Sequence, residues 1–143
     1  MDIKFNIPGK PQAKQRPRFT GHHAYTPKET VAYENWVRLC FQQTKAQKLT
    51  GEILSEMIFT FPIAASKSKK IKAKMMSGET CPTGKPDLDN LAKSVLDSLN
   101  GFAFDDDSQV VMLLVRKKYG TDPGVQVSLY DRTDEGEIEW PGM

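Results

Sequence analysis

In "DLDNLAKSVLDSL", residues 87 to 99, apolar side chains recur at Leu88, Leu91, Ala92, Val95, Leu96 and Leu99. That is the rhythm of a helix with one face in a core and the other in water. Such a helix needs a second layer to pack on, and the rest of the chain supplies one in strand rhythm. "DIKFNIP" alternates Ile3, Phe5 and Ile7 against polar neighbours. "EILSEMIFTF" alternates through Ile53, Met57, Phe59 and Phe61, and "GVQVSLY" through Val125, Val127 and Leu129. Each has the period of two expected of a half-buried strand. "SQVVMLLVRKKYG" is apolar almost without interruption and predicts a central strand buried on both faces. "TPKETVAYENWVRLCFQQTKAQK" predicts another helix, with Thr26 as N-cap, Pro27 in the first helical position and Glu29 completing a capping box. Its Tyr33, Trp36, Val37, Cys40 and Phe41 share the face that meets the core. The fold class predicted is α+β, a mixed β-sheet packed with two main helices.

Breaks separate these elements. Pro8, Gly9 and Pro11 end the first strand, Gly51 precedes the second, and Asn100 with Gly101 closes the helix 87–99. Residues 63 to 86 read as a long lysine-rich connection, a length that in a compact domain points to function or mobility. With 143 residues there is room for one ordinary domain. Residues 1–130 are assigned to it, leaving 131–143 as a loosely ordered acidic tail. No apolar run approaches the roughly 18 residues of a membrane span, and no secretory core opens the chain. Two cysteines, Cys40 and Cys81, make no disulfide framework, which suits a reducing cytoplasm.

The net charge of +2 hides a strong asymmetry. The tail "DRTDEGEIEWPGM" holds five acids against one arginine, so it carries −4 and the other 130 residues carry +6. Cations gather at Lys10, Lys14, Arg16 and Arg18, at Lys67, Lys69, Lys70, Lys72 and Lys74, and at Arg116, Lys117 and Lys118. Such clusters suit a polyanion, although each alone could be a solvated surface.

Acids gather at two places. Asp87 and Asp89 open the helix, and Asp89, Lys93 and Asp97 stack on its solvent face, four residues apart. The plain reading is structural: Asp87 caps the helix, acids favour its first turn, and the lysine pairs with its neighbours. The second place is "FDDDSQVV", where Asp105, Asp106 and Asp107 repel one another at the mouth of a core strand. Brought together, the two groups would make an all-oxygen site, the chemistry of Mg²⁺ with a phosphate completing its shell. An EF-hand beginning at Asp87 fails because its sixth position holds Ala92 and its twelfth Ser98. Zinc is disfavoured by two isolated cysteines and two adjacent loop histidines, His22 and His23. A dehalogenase-like phosphatase would need a buried strand before its Asp-x-Asp, and "ETCPTGKP" is none.

"KPDLDNLAKSVLDSLNG", followed by "FDDDSQVV" and "RKKYG", resembles the RusA family of Holliday-junction resolvases, including its phage-type members. "PGKPQAKQRPR" and "AYTPKETVAYE" resemble the same family's opening, so the likeness spans about residues 1 to 130. It implies a small homodimeric nuclease that cuts four-way DNA junctions by symmetric nicks, with Mg²⁺ as cofactor and Mn²⁺ as a substitute. No nucleotide cofactor and no membrane partner are implied. Carried over by position, the metal-binding carboxylates are Asp87, Asp89 and Asp107, and the catalytic lysine is Lys93. The third aspartate of the turn departs from the family pattern, so Asp106 or Asp105 could share the role of Asp107. DNA contacts fall to Lys14, Arg16 and Arg18, to Lys69, Lys70, Lys72 and Lys74, and to Arg116, Lys117 and Lys118. Two alternatives stay open: a non-catalytic module for branched DNA, and a Mg²⁺ phosphoesterase acting on nucleotides or on other DNA shapes such as flaps.

Overall fold

A computed structural model describes residues 2–131. The acidic tail from residue 132 lies outside the described residues. The strand β1 (Asp2–Pro8) is followed by an arm bearing a small hairpin, β2 (Arg18–Thr20) and β3 (His23–Tyr25). Then come α1 (Lys28–Gln42), β4 (Ile53–Pro62), α2 (Lys69–Ser77), α3 (Leu88–Leu99), β5 (Val110–Gly120) and β6 (Gly124–Asp131). The main sheet has the order β1-β6-β4-β5. β6 runs antiparallel to both neighbours, whereas β4 and β5 are parallel and joined through α2 and α3, so the sheet is mixed as predicted.

Alternation explains the core. The inward residues form rows across the sheet, such as Phe5–Val127–Met57–Val115 and Ile3–Leu129–Ser55–Leu113. α1 and α3 pack on these rows and on each other, and Phe5 meets Phe41 edge to face at 5.7 Å. Rows on the opposite face are mostly polar, as in Lys4–Ser128–Glu56–Leu114. One face is therefore covered by helices and the other meets water.

The apolar strand is not central. Among the described residues β5 is an edge of the sheet, paired only with β4, and none of its residues is buried. Val111 is 54% exposed and Leu114 is 40% exposed. The alternating strand β6 holds an interior place instead. An apolar run reports that a strand wants cover, but not whether its own sheet or another body gives it.

Local corrections have similarly physical causes. Pro27, not Thr26, occupies the N-cap position of α1, and no side chain caps that end, so the predicted box with Glu29 does not form. The helix stops at Gln42, several residues before Lys48, as the chain turns through Lys45 at φ 57°. Trp36 sits at the rim, 38% exposed, its indole N–H donating to the carbonyl of Pro8 at 2.8 Å. The lysine-rich connection contains a helix, α2, started by Ser68, whose hydroxyl accepts from the Ile71 N–H, and ended by Gly78 at φ 85°. Gly78 takes the left-handed conformation that such a stop requires. Only Met75 of α2 is buried, so its pattern was too polar to stand out. Among the described residues no helix is long and apolar enough to cross a membrane.

Candidate active site

α3 and β5 leave a groove between them of about 670 Å³, lined by Leu88, Ala92, Leu96, Leu113 and Val115 and rimmed by Asp89, Lys93 and Asp107. Helical spacing puts Asp89 and Lys93 on one face of α3. Asp107 arrives from a 3-10 turn (Asp107–Gln109) that feeds β5. The groove's apolar floor lowers the local dielectric, which strengthens any charge interaction on its rim.

The three consecutive aspartates have three different surroundings. Asp105 pairs with Lys48 at 2.9 Å. Asp106 caps the 3-10 turn, accepting from the Ser108 N–H at 3.1 Å, while the Gln109 side chain accepts from the backbone N–H of Asp106 at 3.1 Å. Bonds from the Ser108 side chain and backbone hold the Asp106 carboxyl below its ordinary value. Asp107 alone of the three lines the groove. Desolvation there, then the charges of Asp106 and Asp97, push its carboxyl above the ordinary value. A cation in the groove would relieve that crowding.

Asp87 holds the N-cap position of α3 with extended backbone, but its side chain makes no capping bond. Its carboxylate is exposed just before Asp89 and outside the groove's lining. Asp87 thus takes the N-cap place that the structural reading gave it, without the side-chain bond of a cap. Among the described residues no three acids, histidines or cysteines stand close enough together to cage a metal ion. The donors present are carboxylate oxygens spread along one groove. That set fits Mg²⁺, which keeps several waters and takes one or two protein carboxylates, better than it fits a closed site.

One participant was missed by sequence reasoning. Asp97, one turn beyond Lys93, is bonded by Lys14 at 3.1 Å, and Lys14 stands 4.0 Å from Glu34 on α1. Glu34 is paired in turn with Arg38 at 3.6 Å. This chain of charges ties the arm to both helices just behind Asp107. The row Asp89, Lys93, Asp97 was the visible signal, but the partner of Asp97 lies 83 residues away in sequence.

The remaining cations lie on three elements. Lys14 is engaged with Asp97, whereas Arg16 and Arg18 are exposed on the arm and its hairpin. Lys69, Lys70, Lys72 and Lys74 are carried by α2, which packs against β5. Arg116, Lys117 and Lys118 occupy the second half of β5, and Lys117 donates to the Gly84 carbonyl at 2.8 Å while lying over the ring of Phe61.

Sequence comparisons bear on this arrangement. The family described as "Endodeoxyribonuclease RusA" matches residues 8–130. A Bacillus subtilis (strain 168) protein named "Uncharacterized protein YqaN" is 37% identical over 134 residues, covering 89% of this chain and 94% of that one.

Proposed function

Since the chain belongs to the RusA endodeoxyribonuclease family, we propose that it is a Mg²⁺-dependent endonuclease that resolves four-way DNA junctions in the cytoplasm by paired, symmetric nicks. The observation that carries this reading is the groove in which Asp89, Lys93 and Asp107 come together from α3 and the mouth of β5. Asp89 and Asp107, with Asp87 beside them, would hold the metal, for which Mn²⁺ can stand in. When bound, that ion supplies an activated water and neutralises charge on the phosphate. Lys93 is exposed on the rim and places a cation where negative charge builds on phosphorus. Asp97, held by Lys14 and close to the Asp107 carboxyl, would help to fix where that carboxyl stands.

The cations of the arm, α2 and β5 would follow the phosphate backbone, giving affinity that falls steeply with salt and reads little sequence. A four-way junction is close to two-fold symmetric, so two copies of the site in a homodimer match its two cuts.

Asp89→Asn tests the assignment. The variant should melt as the wild type does and lose cleavage of a labelled junction by about a thousandfold or more, the scale of losing a principal electrostatic group. Cleavage at the wild-type rate would remove Asp89 from the site. Junction binding by the wild type with no cut under any divalent metal would instead favour a binding module.

A further inference from the structure

A second hollow lies on the same face of the sheet as the groove, further along β5. Its volume is about 190 Å³, and Lys10, Phe61, Pro82, Lys85, Lys117 and Tyr119 stand around it. Side chains alternate along a strand, so Lys117 and Tyr119 project from the same face as Leu113 and Val115 of the groove. The register agrees, since Lys117 pairs with Phe59 and Tyr119 with Phe61, both buried in β4. The two hollows share a second border, the segment that brings Lys85 to one and Leu88 and Asp89 to the other. Four residues of β5 separate their centres, roughly 13 Å at about 3.3 Å per residue.

The lining has one sign of charge. Among the described residues around the hollow three are lysines and none is acidic. Lys10 is fixed from both sides, because the Gly9 N–H donates to the Pro123 carbonyl at 3.0 Å and Pro11 is buried. Lys117 lies 5.8 Å from the centre of the Phe61 ring and donates to the Gly84 carbonyl at 2.8 Å. An ammonium has three N–H donors, so that bond holds the group in place and leaves two for a ligand. Phe61 is buried and Tyr119 half-buried, so these cations stand against an apolar wall. There they attract an anion more strongly than in open water. Cations beside aromatic rings, in a hollow with room for one base and not for a pair, suit an unpaired nucleotide.

We infer that this pocket takes one unpaired nucleotide of a DNA strand that runs on along β5 to the carboxylates. Its phosphate rests on Lys10, Lys85 and Lys117, and its base lies against Tyr119 and Pro82. A branched substrate can offer such a nucleotide at its branch point, whereas a continuous duplex does not. Stacking on an aromatic ring accepts any base, so the pocket sets where the strand lies and not which sequence it has.

The inference rests on the nuclease proposal for the origin of the strand, but its test is binding in EDTA, so either can fail without the other. A short labelled thymidine strand should bind the wild type about tenfold more tightly than an abasic strand of equal length, the scale of one base stacked on an aromatic side chain. Tyr119→Leu should bind both strands alike. Lys10→Ala combined with Lys85→Ala changes two exposed residues and should keep the circular-dichroism spectrum. That variant should weaken the thymidine strand by about tenfold and leave a blunt linear duplex nearly unchanged. A wild type that does not bind the thymidine strand, or that binds the abasic strand equally well, would overturn the proposal. So would equal losses on strand and duplex in the lysine variant.

Discussion

β5 and β6 are neighbours in sequence and opposites in design. β6 is interior, hydrogen-bonded on both sides, and keeps its polar residues on the wet face; Val125, Val127 and Leu129 are buried. β5 is apolar on both faces in its first half and, among the described residues, lies at the edge with one neighbour and no buried residue. β6 does the work of stability: its inward side chains complete rows that α1 and α3 cover. β5 borders the candidate site: its mouth presents Asp107, Leu113 and Val115 line the groove, and its second half holds cations. The comparison teaches that apolar content measures a strand's need for cover and says nothing of which layer supplies it.

The sharpest contrast is at the mouth of β5. Asp107→Asn should abolish junction cleavage by about a thousandfold or more, whereas Asp106→Asn should keep most of it, since asparagine caps a helical turn about as well. Equal losses at both would mean the whole acidic turn acts as a unit. Next comes packing. Leu129→Ala in β6 removes a fully buried side chain and should cost about 2–5 kcal/mol in denaturant unfolding. The same deletion at Leu114, 40% exposed in β5, should cost the monomer less than about 1 kcal/mol. Similar costs would erase the division between the strands.

Gly124 gives a smaller effect at the start of β6. An added Cβ would stand 2.8 Å from the carbonyl oxygen of Ile7, a backbone atom of the paired strand. Gly124→Ala should therefore destabilise by about 1–3 kcal/mol, read as a lower denaturation midpoint.

The smallest concerns the layer that covers these rows. Burial pushes the Tyr33 hydroxyl up from 10.0 to about 12, and the group lies near the Gln12 backbone without completing a hydrogen bond. The unfolded chain gives up this proton near pH 10 and the native state only near 12. The native state thus binds more proton between those values, so stability is intact below pH 10 and falls as pH rises toward 12, by up to about 1.4 kcal/mol per unit. Tyr33→Phe should be close to neutral at pH 7 and should shift alkaline unfolding to higher pH. An unchanged alkaline midpoint would mean that Tyr33 ionises as freely folded as unfolded.

Much of this architecture was legible. Alternation in β1, β4 and β6 and the stripe of α3 gave the correct elements, because one-faced burial writes a period into sequence. The edge position of β5 was not legible, since a run apolar on both faces looks the same whichever layer covers it. α2 was hidden because only Met75 reaches the core, and the β2–β3 hairpin because its short strands are exposed throughout. At the site, Asp89, Lys93 and Asp107 were chosen by motif and the structure draws them to one groove. The separate surroundings of Asp105, Asp106 and Asp107 depend on Lys48 and on turn geometry, and the hold of Lys14 on Asp97 spans most of the chain. Neither leaves a local pattern.

The most direct measurement incubates the protein with a labelled synthetic four-way junction, a matched linear duplex and a flap, each with Mg²⁺ and with EDTA. Paired nicks at symmetric positions in the junction alone, present with Mg²⁺ and absent with EDTA, are the predicted result. Tight junction binding without nicks under any divalent metal, or equal cutting of all three substrates, would contradict it.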